Sequence, residues 1–275
     1  MRWCAWQIFA VTVLSASCAS VDPDLPCVAT AEAVDCPHHS DVLHVGVFGR
    51  SVFWKTPTAS PPDAGWPAAI VFQGSFFAAS TMWHGDSLGD SFGLRFQTET
   101  LQSLVEAGFV VITPEAAAAG TTFWQTNVPP FSTDWEHSDD NALMLAVFSS
   151  IEAGAFGPID TARLYATGIS SGGYMTSRMA VSYPGRFRAL AICAGSYATC
   201  AGPICDVPAV LSSDHPPTLF LHGEDDVVVP IGTMSAYRDA LSAAGIETDS
   251  LVDAKTGHQW LPEAPVRIRD FFVAH

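Results

Sequence analysis

Gly168-Ile169-Ser170-Ser171-Gly172 is the stretch whose residue types and spacing could do chemistry. The glycines let the backbone turn sharply and leave Ser170 standing at the tip of the turn. A serine hydroxyl attacks a carbonyl carbon only when a base removes its proton, and the base must itself be held in place by an acid. Two later stretches supply such groups. "LFLHGEDDVVVP" offers Glu224, Asp225 and Asp226, and "DAKTGHQWLP" offers His258 beside Gly257 and Trp260. The same five residues around Ser170 would also serve a plain turn in which Ser171 caps a helix. A lone histidine in a loop is most often just a surface histidine.

The elements that must position these residues favour the reactive reading. "SVFWKTP", "AAIVFQG", "FVVITPE", "ARLYATG", "ALAICAG" and "PTLFLHG" read as strands, most of them apolar throughout, and "ETDSLVD" as a weaker one. Between and after them, "RFQTETLQSLVEAG", "DNALMLAVFSSIEAG", "YMTSRMAVSYPG", "TMSAYRDALSAAG" and "PEAPVRIRDFFVA" carry helical spacing. Continuous apolar strands alternating with helices predict a mostly parallel sheet covered on both faces. Ligands of such sheets lie beyond the carboxyl ends of the strands. Ser170 falls there, after a strand and before a helix. An acid and then a histidine, each after a later strand, complete the expected chain order. His222 precedes the acids and is expected to order its own loop.

"GISSGGYMTSRMAVSYPGRF", "LFLHGEDDVVVP" and "GHQWLP" together resemble the α/β-hydrolase esterases grouped with extracellular poly(3-hydroxybutyrate) depolymerases and feruloyl esterases. The resemblance spans about residues 48–273. It implies the α/β-hydrolase fold, with Ser170 as nucleophile, Asp226 as acid, Asp225 as the runner-up, and His258 as base. Gln73-Gly74-Ser75-Phe76 stands where the family usually has His-Gly. The kept glycine preserves the turn, and the oxyanion donors are expected to be the backbone amides of Ser75 and Ser171. The loop "AAAAGTTFWQTNVPPFSTDWEHSDD" is too polar and proline-rich for a core element. Phe76, Trp124, Trp135 and Trp260 are therefore expected to line an apolar substrate cleft.

The implied activity is hydrolysis of carboxylic esters through an acyl-enzyme, on polyhydroxyalkanoate-like polyesters or feruloyl-like aromatic esters. No metal or organic cofactor is called for. A serine peptidase on the same fold and a non-catalytic binding protein that kept the fold are the alternatives. With 28 acidic against 12 basic residues and a net charge of -16, the chain lacks the basic face that a nucleic-acid partner needs.

Arg2, the apolar run from Trp3 to Leu14 and the small residues "LSASCAS" read as an export signal over residues 1–19. Ordinary cleavage near Ala19 and lipoprotein-type cleavage before Cys18, with lipid attached to that cysteine, remain as two readings. The protein is then secreted or lipid-anchored. Residues 20–40 read as an N-terminal tail, with His38 and His39 solvated, and residues 41–275 as the catalytic domain. Export makes Cys27–Cys36 and Cys200–Cys205 candidate disulfides, while Cys193 lies in an apolar run and reads as a buried thiol.

Overall fold

The computed structural model describes residues 21–86, 92–116 and 123–275. The export signal with Cys4 and Cys18, and the first part of the alanine-rich loop, lie outside the described residues. Among the described residues, eleven strands and five α-helices follow one another. β1 (Val28–Ala29), β2 (Ala33–Asp35), β3 (His39–Val45), β4 (Phe48–Lys55), β5 (Trp66–Phe72) and β6 (His84–Asp86) come first. Then follow α1 (Leu94–Glu106), β7 (Val110–Pro114), α2 (Asp139–Glu152), β8 (Ile159–Ile169), α3 (Ser171–Ser182) and β9 (Ala189–Cys193). β10 (Thr218–Gly223), α4 (Ile231–Ala243), β11 (Thr248–Asp253) and α5 (Ala264–Ala274) complete the chain.

The main sheet has eight strands in the order β11-β10-β9-β8-β5-β7-β4-β3. From β11 to β7 every pair is parallel; β4 runs antiparallel to β7, and β3 to β4. Successive residues of the central strands enter opposite cores. Ala69, Val71, Ala191 and Leu219 pack with Leu101 and Leu104 of α1 and Ile268 and Phe272 of α5. Ala68, Ile70, Ala166 and Leu190 pack with Val147 and Phe148 of α2 and Met175 and Met179 of α3. On the α2–α3 face, α4 adds Met234, Tyr237 and Leu241 against Ile192 and Phe220. A strand covered on both sides has no use for a polar face, which explains the unbroken apolar runs. This is the α/β-hydrolase fold.

Residues 21–40, expected as a tail, are instead packed onto the domain. Cys27 is bonded to Cys36, β2 pairs with β1 and β6, and β3 begins at His39. The Lys55 ammonium, 1% exposed, donates to the carbonyls of Pro23 (2.9 Å) and Leu25 (2.6 Å). His38 stacks on Trp83 with centroids 4.8 Å apart, and burial lowers its pKa. His39 stacks on Trp54 at 5.2 Å and pairs with Asp24 at 2.9 Å. Strands of two and three residues are too short to show a period, and edge strand β3 is half polar because only one side of it is covered. The second disulfide, Cys200–Cys205, and the buried Cys193 thiol are found as expected.

Candidate active site

Four loops at one edge of the sheet bring the candidate residues together. Parallel strands place their carboxyl ends on the same side, and β5, β8, β10 and β11 lead into the loops carrying Ser75, Ser170, Asp226 and His258. Ser170 precedes α3 with φ 57° and ψ −119°. That conformation costs a non-glycine residue about 1–3 kcal/mol. It is held from both sides: Ser170 N donates to the Cys193 carbonyl at 3.1 Å, and its own carbonyl accepts Tyr174 N at 3.0 Å. Gly168 is required by space, since a Cβ there would lie 2.6 Å from the Gly172 carbonyl oxygen and 2.7 Å from that of Phe72.

Asp226 is buried in the turn after β10, whereas Glu224 and Asp225 are exposed. One carboxylate oxygen accepts the amides of Val228 and Val229, each at 2.8 Å, and the other lies 2.7 Å from His258 Nδ1. Burial alone would raise the Asp226 pKa. The hydrogen bond to His258 and those from the two amides outweigh it, so the carboxyl sits below its ordinary value. An ionised carboxylate only accepts, so His258 Nδ1 carries a hydrogen, and in the neutral ring the lone pair is on Nε2. His222, wholly buried, donates from Nε2 to the Val229 carbonyl at 2.8 Å and lies 3.4 Å from Asp226. Burial lowers its pKa, and it braces the turn that presents the acid.

The turn after β5 carries Ser75, whose amide has no protein acceptor among the described residues. Ser171 opens α3, where first-turn amides have no partner within the helix. Gln73, wholly buried, closes this turn: its Nε2 donates to the Phe77 carbonyl at 2.7 Å and to Glu115 Oε1 at 3.0 Å. The other Glu115 oxygen accepts Ala79 N at 2.8 Å. Between Gln73 and Phe77, Phe76 is held at φ 69° with its ring 87% exposed. Gln73 thus ties the turn to the loop after β7.

Ser170 and His258 line a cavity of about 500 Å³ walled by Phe76, Phe77, Phe92, Leu94 and Val228. Ser170 also lines a second cleft of about 260 Å³, with Ser75, Ser171, Phe123, Asn127 and Tyr174. Of the expected cleft aromatics only Phe76 is there. Trp124 is fully buried, packs edge-on against Phe72, and donates from Nε1 to the Gln73 carbonyl at 3.1 Å. Trp135 is 6% exposed and lies under the Arg178 guanidinium at 5.2 Å. Trp260 is fully buried in the α1–α5 core, and its amide holds the Phe92 carbonyl at 3.0 Å. Trp124, bonded to Ser171 and Gln73, and Trp260, bonded to Phe92, support lining segments from behind, whereas Trp135 packs against Arg178 and Tyr183. Phe92, Leu94 and Val228, which come from two separate loops and the start of α1, went unpredicted because no local pattern joins them.

No family model matches the chain. Among curated proteins, the poly(3-hydroxyoctanoate) depolymerase of Pseudomonas fluorescens is 46% identical over 243 residues, covering 88% of this chain and 86% of that protein. Solved structures share the fold at lower identity. Acetyl xylan esterase from Aspergillus awamori superposes with a TM-score of 0.63 at 16% identity, over 86% of this chain and 100% of that one. A thermostable esterase gives 0.60 at 16% identity, over 86% and 62%. A dienelactone hydrolase from Klebsiella pneumoniae gives 0.54 at 18% identity, over 86% and 99%. Identity of that order to the depolymerase, over most of both chains, leads to one conclusion: the protein belongs to the α/β-hydrolase family of ester-hydrolysing serine enzymes that includes it.

Proposed function

We propose that the protein depolymerises an aliphatic polyester of the hydroxyalkanoate class, with Ser170 as nucleophile, His258 as general base and acid, and Asp226 as the acid that orients it. His258 Nε2 takes the Ser170 proton as Oγ attacks the ester carbonyl carbon. The amides of Ser75 and Ser171 stabilise the oxyanion, and Asp226 stabilises the imidazolium. His258 then gives the proton to the leaving alcohol oxygen as the carbon–oxygen bond breaks. Water, deprotonated in turn by His258, releases the acyl group. The observation that carries this reading is the 2.7 Å contact between His258 Nδ1 and buried Asp226, with His258 on one cavity wall with Ser170. The polyester substrate rests on the name of the 46% identical relative and on the apolar cavity.

Two disulfides support an oxidising compartment, and so export. The intact mass of the exported protein separates cleavage near Ala19 from lipidation at Cys18. Catalysis is tested with Ser170→Ala. The variant should fold, lose turnover of soluble esters and of poly(3-hydroxyoctanoate) emulsion by several orders of magnitude, and escape labelling by a fluorophosphonate. Retention of a tenth of the parent rate would overturn the assignment. Clearance of soluble esters without clearance of the emulsion would overturn the substrate alone.

A further inference from the structure

The candidate nucleophile divides two spaces of different chemistry. On one side, the cavity of about 500 Å³ is walled by Phe76, Phe77, Phe92, Leu94 and Val228, and His258 belongs to it. On the other, the cleft of about 260 Å³ is lined by Ser171, Asn127 and Tyr174 together with Phe123, Val128 and Val229, so that polar groups lie among apolar ones, and His258 does not belong to it. Ser75, Ser170 and Val228 line both, so with Ser170 as nucleophile the scissile carbonyl carbon sits at their boundary.

Proton transfer decides which side of the ester lies where. The proton taken from Ser170 goes to the leaving oxygen, so that oxygen must lie within hydrogen-bond reach of His258. The alcohol half of the ester therefore faces the cavity that contains His258, and the acyl half is left with the cleft on the Ser171 side. From these positions we propose that the apolar cavity is an alcohol-side subsite that takes the alkyl branch of a secondary alcohol, while the smaller, mixed cleft, with Asn127 in its wall, takes an acyl chain with an oxygen near its carbonyl. The proposal rests on the roles given above to Ser170 and His258.

The walls fit this division. In a polyester of 3-hydroxy acids, the carbon next to the leaving oxygen carries the alkyl side chain. That branch would enter the cavity directly, where a Phe77–Phe92 edge contact at 5.4 Å and the Leu94 side chain offer only apolar surface. The acyl half carries its own oxygen two carbons from the carbonyl. In the cleft it would meet the Asn127 carboxamide, with Phe123 and Val128 beside it. Asn127 is itself fixed, donating from Nδ2 to the Cys200 carbonyl at 2.8 Å, which ties the cleft to the Cys200–Cys205 loop.

The test uses ratios of kcat/KM measured on one protein, in which any loss of folded fraction cancels. The alcohol ratio compares the butanoates of heptan-2-ol and propan-2-ol. The acyl ratio compares ethyl 3-hydroxybutanoate with ethyl butanoate. In the parent, the alcohol ratio should favour the longer branch by about tenfold, the size expected when a pocket gains a few methylenes. Leu94→Trp, which fills the cavity, should abolish that preference and change the acyl ratio by less than about threefold. Asn127→Ala should do the reverse. Leu94→Ala, which enlarges the cavity, should extend the preference to undecan-2-ol and serves if the tryptophan variant does not fold. Leu94 variants that move the acyl ratio and spare the alcohol ratio would show the assignment to be inverted. Variants that move both equally, or neither, would overturn the division. A parent enzyme without turnover on any of these esters would instead overturn the roles of Ser170 and His258, a failure that fluorophosphonate labelling reads separately.

Discussion

Gln73 shows how one side chain sets the geometry of a neighbouring backbone group. Its carboxamide spans from the Phe77 carbonyl to the Glu115 carboxylate, and its Oε1 faces Ala116 N at 3.4 Å. The turn it closes carries the Ser75 amide and holds Phe76 in a left-handed conformation. Gln73 touches no reacting atom in the proposed mechanism, so it is a positioning residue. An amide displaced by a fraction of an ångström from the oxyanion loses transition-state stabilisation without weakening ground-state binding. Gln73→Ala should lower kcat on a soluble ester by about tenfold to a hundredfold, with KM changed less than threefold. Gln73→His, which restores a donor, should recover part of kcat. Steady-state kinetics on purified protein checks this; a rise in KM at constant kcat would mean that the turn serves binding only.

At the scale of elements, the loop from Phe123 to Ser138 is held like a piece of regular structure. Arg178 of α3 donates to Thr126 Oγ1 at 2.8 Å and to the Thr126 carbonyl at 2.6 Å. Ser171 Oγ accepts Trp124 N at 2.9 Å, and Asp140 accepts Gln125 N at 2.6 Å. Asp140, wholly buried, also pairs with Arg50 at 2.8 Å, and Arg50 donates to the Glu115 carbonyl. Burial raises the Asp140 pKa against the pull of Arg50, so the pair serves placement of the loop more than net stability. Trp124 fills the space beneath this network. Trp124→Ala should cost about 3–5 kcal/mol of stability through the cavity it leaves. It should lower turnover of acetyl and long-chain esters in equal proportion. Thermal melts with activity on two ester lengths check this, and a selective loss on long esters would return Trp124 to the substrate cleft.

For the whole molecule, acid stability is set by what is buried neutral. His215 lies between Pro216, whose carbonyl accepts Nδ1–H at 2.8 Å, and Tyr237, whose hydroxyl donates to Nε2 at 2.6 Å. Burial pushes its pKa down to about 4. In the unfolded chain the reference value is about 6.5. Between these values the unfolded chain binds a proton that the folded protein does not. Stability from this group is therefore complete above about pH 6.5 and falls as pH drops towards 4, by about 1.4 kcal/mol per unit. His222, also lowered by burial, acts in the same direction, as does the depressed Asp226 at more acid pH. The raised Asp140 opposes them. The melting temperature should fall steadily between pH 7 and 4.5, and His215→Gln should flatten that slope. An unchanged slope in the variant would place the acid sensitivity elsewhere.

The sequence by itself determined the order of strands β4, β5 and β7–β11 and of the five helices, the turn that displays Ser170, and the later positions of an acid and a histidine. Each is a local pattern: apolar runs, helical spacing, or glycines where a Cβ would meet backbone. Tertiary structure alone decided which acid faces His258, because Asp225 and Asp226 are neighbours and only Asp226 turns inward. It alone sorted the aromatics. Hydrophobicity says that Trp124, Trp135 and Trp260 will be covered, but not whether protein or substrate covers them. It also decided the fate of residues 21–40. Their strands have too few residues for a period, and their cohesion comes from distant partners: Trp83 against His38, Lys55 against two carbonyls, and β6 against β2. The two spaces beside Ser170 were decided there too, since their walls come from segments that meet only when the sheet is assembled.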